Sequence, residues 1–386
     1  MLPSLKEFEQ AAVQGRIDMH SIPCKDTILL GFKYTTNTVY SEDWDNVSLH
    51  ARGIVFDKNT GAVLARPFDK FFNLGEMINV ETGELKPIAG YVKQRLRFDN
   101  LSGDYKHQKF RVMDKLDGSL GIMFWTGAKW YIKTAGSFES DQAKWANQWA
   151  FEHNIDAGYL DKSKTYLFEI IYDEDKHPIS YDFEGLVLLS VIDTQTGKEE
   201  PLSEILRVAK ELNIRHAEVL EFNDFDEVVK YAKNLPKTKE GVVITFENGF
   251  KLKVKGDEFL QLQKIFHYLN EDVIYDNLKW GTIFDYTELE RAYTDGFIMD
   301  IPEELEDLKE YADNLRKDFV FYLDLTVGYG KHLRNKYSDN RRAAYEYITS
   351  ILQGEFKKLV AAIMMYYTSG EINMKIRGAI YKALKP

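Results

Sequence analysis

From about residue 25 to residue 256, short apolar runs alternate with clusters of turn-forming residues. Such runs, rich in β-branched and aromatic residues, are typical of β-strands. They predict strands over 27–34, 53–56, 62–67, 109–113, 121–124, 130–134, 165–172, 185–192, 241–246 and 250–254. Asn248-Gly249, between the last two runs, predicts a hairpin. Apolar residues at helical spacing predict helices over 140–152, 203–212 and 226–234.

The pattern changes after about residue 257, where helical periodicity replaces the strand pattern. It predicts helices over 258–269, 303–322, 341–367 and 372–384. In the third of these, Ile348, Leu352, Leu359 and Ile363 recur on one face, as in a helix that packs against a core. We therefore predict an α+β fold, with antiparallel sheets in an N-terminal domain over 1–256 and an all-α C-terminal domain over 257–386.

Length and composition exclude several classes of protein. A chain of 386 residues with 44% apolar residues has the size and composition of a globular protein of two domains. It contains no apolar run long enough to cross a membrane, and its first residues do not resemble an export signal. The single cysteine, Cys24, excludes an intrachain disulfide framework and a zinc site with several cysteines. These features indicate a reducing cytoplasm.

The charge is unevenly distributed along the chain. A net charge of −11 argues weakly against binding of nucleic acid. Residues 271–324 are rich in acids, whereas the tail over 331–386 has an excess of lysine and arginine. A local basic surface can bind phosphates within an acidic protein. The alternative is that these charges form ordinary solvated helix faces.

Lys115 stands at the edge of a predicted turn, in the segment Lys115-Leu116-Asp117-Gly118 between two apolar runs. A lysine in a turn is ordinarily a solvated surface charge. It can also act as a nucleophile when neighbouring charges favour its neutral form. Further segments downstream bear on this choice.

Four charged residues follow Lys115 on or beside predicted strands: Glu169, Glu240, Lys253 and Lys255. Because side chains alternate along a strand, Lys253 and Lys255 lie on the same face and can point at one phosphate. The carboxylates can hold Mg²⁺ or accept hydrogen bonds from a ribose. Each segment alone is weak, since Lys-x-Lys on a strand is most often a solvated face.

The order of these segments resembles the motifs of the covalent nucleotidyltransferases, which include polynucleotide ligases and mRNA-capping enzymes. Motif I matches Lys115 to Gly118, motif III matches Glu169, motif IV matches Glu240-Gly241, and motif V matches Lys253 and Lys255. The chain is most similar to the RNA ligase 1 family of the bacteriophage T4 type. The segments that carry this closer similarity are Arg52-Gly53-Ile54-Val55-Phe56, Arg66-Pro67, Lys70-Phe71-Phe72-Asn73-Leu74, Ile132-Lys133 and Gly136-Ser137.

The resemblance implies a fold and a set of roles. It implies a nucleotidyltransferase (ATP-grasp-like ligase) domain, in which Lys115 is the nucleophile that carries AMP. Further expected contacts are Arg52 and Glu169 with the ribose, Lys70 and Lys133 with phosphates, Lys253 and Lys255 with the α-phosphate, Tyr34 and Phe72 in the pocket, Gly118 beside the nucleotide, and Glu240 and Glu169 with the metal. The implied cofactors are ATP and Mg²⁺, with Mn²⁺ as an alternative ion. Residue chemistry agrees, because a lysine with a pKa near 10.4 needs neighbouring cations to present a neutral amine.

The function so implied is that of an ATP-dependent RNA ligase acting through lysyl-AMP and RNA-adenylate. The expected partners are single-stranded RNA ends, above all cleaved tRNA bound by the helical domain. No membrane or obligate protein partner is implied, and the expected location is the cytoplasm, or the host cytoplasm for a phage-encoded protein. A capping guanylyltransferase or a DNA ligase shares the lysine chemistry, but helices follow Lys255 where those enzymes have a β-rich domain. An RNA-end binding module without ligase activity is the other alternative.

Some residues fit the family pattern less well. Asp175-Lys176 replaces the usual Asn-Arg, and lysine lacks the bidentate geometry of arginine. His177 has no partner at metal-ligand spacing and is expected to be structural. The alternative role for Asp117 is to form the turn only, and the alternative for Phe72 is to pack in the core instead of lining the pocket.

Overall fold

The computed structural model describes residues 2–77, 105–155, 160–175, 177–268, 302–338 and 340–384. The chain divides into two compact units, Met1–Leu260 and Gln261–Pro386. The first is a mixed α/β unit with largely antiparallel sheets, and every element described wholly within the second is helical. This confirms the predicted combination of antiparallel sheets and a helical C-terminal region. The functions predicted for the two domains stay predictions.

The strands of the first unit are numbered in chain order. They are β1 (Ile17–Cys24), β2 (Thr27–Tyr34), β3 (Arg52–Asp57), β4 (Val63–Ala65), β5 (Phe72–Asn73), β6 (Phe110–Lys115), β7 (Ser119–Trp125), β8 (Trp130–Thr134), β9 (Lys164–Ile171), β10 (Gly185–Asp193), β11 (Arg215–His216), β12 (Val219–Leu220), β13 (Gly241–Phe246) and β14 (Lys251–Lys255). They form three sheets, with the orders β1-β2-β3-β4, β11-β10-β9-β7-β8 and β12-β6-β13-β14-β5. Among these strands, only β10–β11 and β14–β5 pair in parallel.

The helices are numbered in the same way. They are α1 (Leu5–Val13), α2 (Thr36–Ser41), α3 (Asn46–His50), α4 (Leu74–Met77), α5 (Asp141–Glu152), α6 (Leu202–Glu211), α7 (Phe225–Lys233), α8 (Asp257–Tyr268), α9 (Pro302–Tyr337), α10 (Arg341–Ile351), α11 (Val360–Ser369) and α12 (Met374–Leu384). Short 3₁₀ turns lie over Tyr105–His107 and Gly354–Leu359. None of the helices in the described part of the chain is long and apolar enough to span a membrane.

Helices cover one face of each of the two five-stranded sheets. Ala146 of α5 and Ile205 of α6 belong to the same buried cluster as Phe168 of β9. Val228 of α7 packs in a second cluster with Ile244 of β13. Because side chains alternate along a strand, the residues between these core positions point to the other face. That face of the β6-β13-β14 sheet carries the charged residues of the candidate site.

Every element predicted between residues 25 and 256 is confirmed to within two residues at each end. The Asn248-Gly249 hairpin is confirmed, with Gly249 at φ +81° joining β13 to β14. Helix α1 and strand β1 lie before the region for which the pattern predicted strands. Strand β1 pairs along its full length with β2, but Ile17 is the one residue of the strand that is buried. Its sequence therefore shows little alternation of apolar and polar residues, and the pattern did not predict it.

The predicted helix over 341–367 is wrong, because the chain breaks it into α10 and α11. Leu352 adopts an extended backbone (ψ 128°) and Gly354 has a positive φ of 58°, so a 3₁₀ turn separates the two helices. The core of this unit still uses the predicted apolar residues, including Ile348, Leu359 and Ile363, all fully buried. Residues 269–301 lie outside the described residues, and with them the last residue of the helix predicted over 258–269. Lys176 also lies outside them.

Candidate active site

The candidate site is built on cross-strand rows of the β6-β13-β14 sheet. Gly241 of β13 pairs with Lys115 on one side and with Lys255 on the other. Two residues further along, Val243 lies between Met113 and Lys253. Alternation places these rows on one sheet face, so Lys115, Lys253 and Lys255 project toward the same space.

Glu240 lies between the two lysines of the first row. Its Oε1 accepts from Lys255 Nζ at 3.0 Å, and its Oε2 lies in contact with Lys115 Nζ. The Glu240 side chain is only 3% exposed, so its charge depends on these two ammonium groups. The first row therefore holds the candidate nucleophile in an ion pair with a buried carboxylate.

A tight turn after Lys115 brings the β11-β10-β9-β7-β8 sheet against the first row. A Cβ at Gly118 would lie 2.6 Å from the Ile170 carbonyl oxygen and 3.0 Å from Glu169 Cγ, so only glycine fits this position. Glu169 on β9 is therefore held close to the Lys115 turn. Burial, followed by the charges of Glu240 and Asp117, raises the pKa of Glu169 to about 7, although Lys115 opposes the shift.

Several cations converge beside this pair of carboxylates. Burial first, and then repulsion from Lys70, Lys115 and Arg52, together lower the pKa of Lys253 to about 7. Burial also lowers the pKa of Arg52, whose guanidinium lies 4.6 Å from the Phe71 ring centroid and whose Nη1 has no hydrogen-bond partner within the described chain. Such a cluster is complementary to a polyanion, because bound phosphates would relieve the repulsion.

Lys70 lies in an aromatic cage. Its Nζ is 4.8 Å from the Phe72 ring centroid, 5.1 Å from that of Trp44 and 5.8 Å from that of Tyr34. Its pKa is lowered by burial. Phe72 and Tyr34 thus contact Lys70 as well as the apolar core, which places both of the predicted pocket aromatics beside a cation of the cluster.

A cavity of about 190 Å³ opens beside Lys115. Arg52, Gly118 and Glu169 also line it, as do apolar side chains from both sheets. A second cleft of about 800 Å³, which includes Lys70, adjoins it. Of the predicted site residues, Lys115, Arg52, Gly118 and Glu169 therefore share one cavity. Glu240 contacts Lys115 of this set, and Lys255 contacts Glu240 in turn.

Lys133 lies elsewhere. It is fully buried, and its Nζ donates to the carbonyl oxygens of Thr134 (2.7 Å), Ala135 (3.3 Å) and Gly53 (3.4 Å). Burial and the nearby Lys33 lower its pKa to about 7. These contacts tie β8 to β3, and the phosphate contact expected of Lys133 stays a prediction.

The sequence did not reveal a network that fixes the Lys115 turn. Asp175 accepts from Ser119 Oγ at 2.7 Å and from Gln142 Nε2 at 3.0 Å, and it lies 3.0 Å from His177 Nε2. His177 Nδ1 lies 3.6 Å from Asp117 Oδ1. These two carboxylates raise the pKa of His177 to about 9. The network joins residues far apart in sequence, and the sequence had indicated only a turn-forming role for Asp117 and a structural role for His177.

Within the described residues, no group of three or more His, Cys, Asp or Glu side chains is arranged to hold a metal. Mg²⁺ is commonly held by one or two carboxylates together with water and substrate phosphates, so such a group is not required. Glu169 fits the role of a metal ligand. The charges of Glu240 and Asp117 raise its pKa, and a cation bound there would be attracted by all three carboxylates. Glu240 can contribute only if it leaves one of its two lysines.

Comparison with known proteins identifies the family. A family profile described as RNA ligase, of the T4 RNA ligase 1 type, matches residues 50–259, more than half of the chain. The chain belongs to this RNA ligase family. The matched RNA ligase segment contains the strands that carry Lys115, Glu169 and the Lys253/Lys255 pair.

Individual relatives of this RNA ligase family member match over different lengths. An RNA ligase of Rhodothermus phage RM378 is 25% identical, over 95% of this chain and 89% of that protein. A protein of Autographa californica nuclear polyhedrosis virus, named as a bifunctional polynucleotide kinase/RNA ligase, is 25% identical over 58% of this chain, which spans 32% of its length. Among solved structures, Naegleria gruberi RNA ligase with PPi is 19% identical over 42% of this chain and 53% of its own, at a TM-score of 0.36.

Proposed function

We propose that this chain is an ATP-dependent RNA ligase in which Lys115 is the nucleophile. The observation that supports this most strongly is the first row, in which Lys115 lies between a cavity and the buried Glu240, beside the cations Lys253 and Arg52. A nucleophile, a proton-accepting group and cations that stabilise phosphate charge are what phosphoryl transfer to an amine requires.

In the first step, Lys115 Nζ attacks the α-phosphorus of ATP. The Nζ–P bond forms, the bond from the α-phosphorus to the pyrophosphate oxygen breaks so that pyrophosphate leaves, and the ammonium proton passes to Glu240 as their ion pair opens. The ion pair between Lys115 and Glu240 must open before this attack, because a protonated amine has no free electron pair. Lys253, Lys70 and Arg52 bind the triphosphate charge. Glu169, and Glu240 once it leaves one of its lysines, would hold Mg²⁺, which would supply further neutralisation of phosphate charge.

In the second step, an oxygen of an RNA 5′-phosphate attacks the phosphorus of lysyl-AMP, and the Nζ–P bond breaks. In the third step, a 3′-hydroxyl attacks the activated 5′-phosphate, so that a phosphodiester forms and AMP leaves. The basic tail over 331–386 supports RNA binding by the second unit. The proposed substrate is a cleaved tRNA with 3′-hydroxyl and 5′-phosphate ends.

Labelled ATP tests the first step directly. Incubation followed by denaturing gel analysis is expected to give an acid-labile adduct that disappears in Lys115→Ala. Labelled GTP serves as the comparison, because an adduct from GTP alone would indicate a capping enzyme. No adduct from either nucleotide would leave the RNA-end binding module as the better hypothesis, and an adduct that survives Lys115→Ala would exclude Lys115 as the nucleophile.

A further inference from the structure

A third cross-strand row lies on the same sheet face as the first row. Thr245 of β13 pairs with Arg111 of β6 and with Lys251 of β14. Four residues along β6 separate Arg111 from Lys115, which is about 13 Å at the usual rise of a strand. Thr245 and Lys251 line the cavity that also contains Lys115. The cavity therefore has a reactive end at the first row and a polar end at the third.

Glu199 completes the polar end. It accepts from Lys251 Nζ at 2.7 Å and from Ser190 Oγ at 2.6 Å, and it forms an ion pair with Arg111 Nη2 at 2.5 Å. Burial alone would raise the pKa of Glu199, but Lys251 and Arg111 outweigh it and hold that pKa below its ordinary value. Glu199 thus remains an ionised acceptor within a buried site.

Thr245 has a hydroxyl proton to donate. Its Oγ1 accepts from Lys251 Nζ at 2.8 Å, which occupies one lone pair and directs the hydroxyl proton elsewhere. No hydrogen bond donated by that hydroxyl is found within the described part of the chain, although Thr245 is only 7% exposed and lines the cavity. A buried hydroxyl without an acceptor is unfavourable, so the site suits a ligand that supplies one.

The space between the two ends is apolar. Met113 and Val243 form the middle row with Lys253, and Leu120 and Leu189 line the cavity from the second sheet. A flat ring system fits between two such apolar walls, with its polar edge turned to the third row. A nucleotide has this distribution, since its base is flat with a polar edge and its phosphates lie at the other end.

We propose that the third row recognises the base of the nucleotide that Lys115 attacks. Thr245 donates its hydroxyl proton to a ring nitrogen, and Glu199 accepts from an exocyclic amino group, as adenine presents on adjacent atoms. Arg111 and Lys251 keep Glu199 ionised and hold it in place. This proposal rests on the proposed function and adds the residues that select the base.

Thr245→Val tests it, because the substitution removes the hydroxyl and keeps the shape of the side chain. Single-turnover formation of the labelled adduct is measured against ATP concentration, at saturation and below. We expect the apparent Kd for ATP to rise roughly 5- to 50-fold, with little change in the maximal rate, since the contact is distant from the reacting phosphorus. Thr245→Ser retains the hydroxyl and is expected to restore binding to within about threefold of wild type.

Thr194→Val is the matched control. Thr194 is buried and its Oγ1 lies 2.9 Å from Thr165 Oγ1, but it does not line the cavity, so its loss is expected to lower stability without changing the Kd for ATP. An unchanged Kd in Thr245→Val, or an equal rise in Thr194→Val, would overturn the proposal while wild-type adduct formation still supported the ligase function. Absence of an adduct in wild type would instead reject the function itself.

Discussion

Replacing Lys253 by methionine is expected to stabilise the ligand-free protein. Methionine keeps an unbranched apolar stem of similar length and removes the charge. The pKa of Lys253 is lowered from 10.5 to about 7, first by burial and then by Lys70, Lys115 and Arg52. The charged ammonium therefore destabilises the folded state relative to the unfolded one, and the methionine variant is free of this destabilisation.

The magnitude follows from linkage. The difference between 10.5 and about 7 is about 3.5 in pKa, which at 1.36 kcal/mol each corresponds to about 5 kcal/mol as an upper bound. Rearrangement of the site reduces it, and we expect a gain of roughly 1–3 kcal/mol in the free energy of unfolding. The destabilisation is fully present below pH 7, declines as the pH rises from about 7 to 10.5, and is absent above that.

The assay is the thermal midpoint of the full chain at pH 6.5, 8 and 10, where the difference between variant and wild type should shrink as the pH rises. Titration of groups that do not interact with Lys253 is common to both proteins and cancels in the difference. Lys255→Met is the matched control on the same strand face. Because Lys255 has Glu240 as a partner at 3.0 Å, its loss is expected to lower the midpoint.

Pyrophosphate provides a second measurement on the same variants. A polyanion bound beside Lys253 stabilises the folded state by mass action, and it should raise the midpoint of wild type more than that of Lys253→Met. A Lys253→Met variant that is less stable than wild type at pH 6.5, or whose gain is the same at pH 6.5 and 10, would refute the reasoning.

Three further predictions concern the same cluster. Gly241→Ala places a Cβ 2.1 Å from the Val254 carbonyl oxygen, so we expect a loss of about 2 kcal/mol or more in denaturant unfolding, whereas Gly75→Ala, with no atom within 4 Å, should be near neutral; equal effects would contradict this. Glu169→Gln should raise the thermal midpoint at pH 8 but not at pH 4.5, because a carboxylate with a pKa of about 7 is unfavourable only when ionised; a gain independent of pH would argue against it. His177→Asn should lower the midpoint at pH 6 and lose that effect as the pH rises through about 9; a deficit that persists at pH 10 would exclude a charged His177.

Local sequence patterns were sufficient for most strands of the first unit. Alternation along β14 places Lys253 and Lys255 on one face as predicted, and the Asn-Gly hairpin sets the register that puts them opposite Val243 and Gly241. The glycine of the lysine turn was also visible locally, although the close approach that requires it comes from β9, far along the chain. Features that depend on a few neighbouring residues can be read from one sequence.

Features that depend on distant pairing could not be predicted. Lys133 matches a motif that implies phosphate contact, but a match does not show that three backbone carbonyl groups surround its ammonium. Asp175 and His177 fix the turn from more than fifty residues away, and neither has a local signal for that role. The break at Gly354 was missed because the apolar spacing continues across it.

The third row shows why a resemblance and a structure identify different residues. Arg111, Thr245 and Lys251 lie two residues further along their strands than the middle row, but they match no motif and were not candidates from the sequence. Antiparallel pairing makes their position a consequence of the first row, because once Gly241 lies between Lys115 and Lys255, Thr245 must lie between Arg111 and Lys251. The register that places the candidate nucleophile beside Glu240 therefore also assembles the polar end of the cavity, so a slip of β13 by one residue would remove both at once.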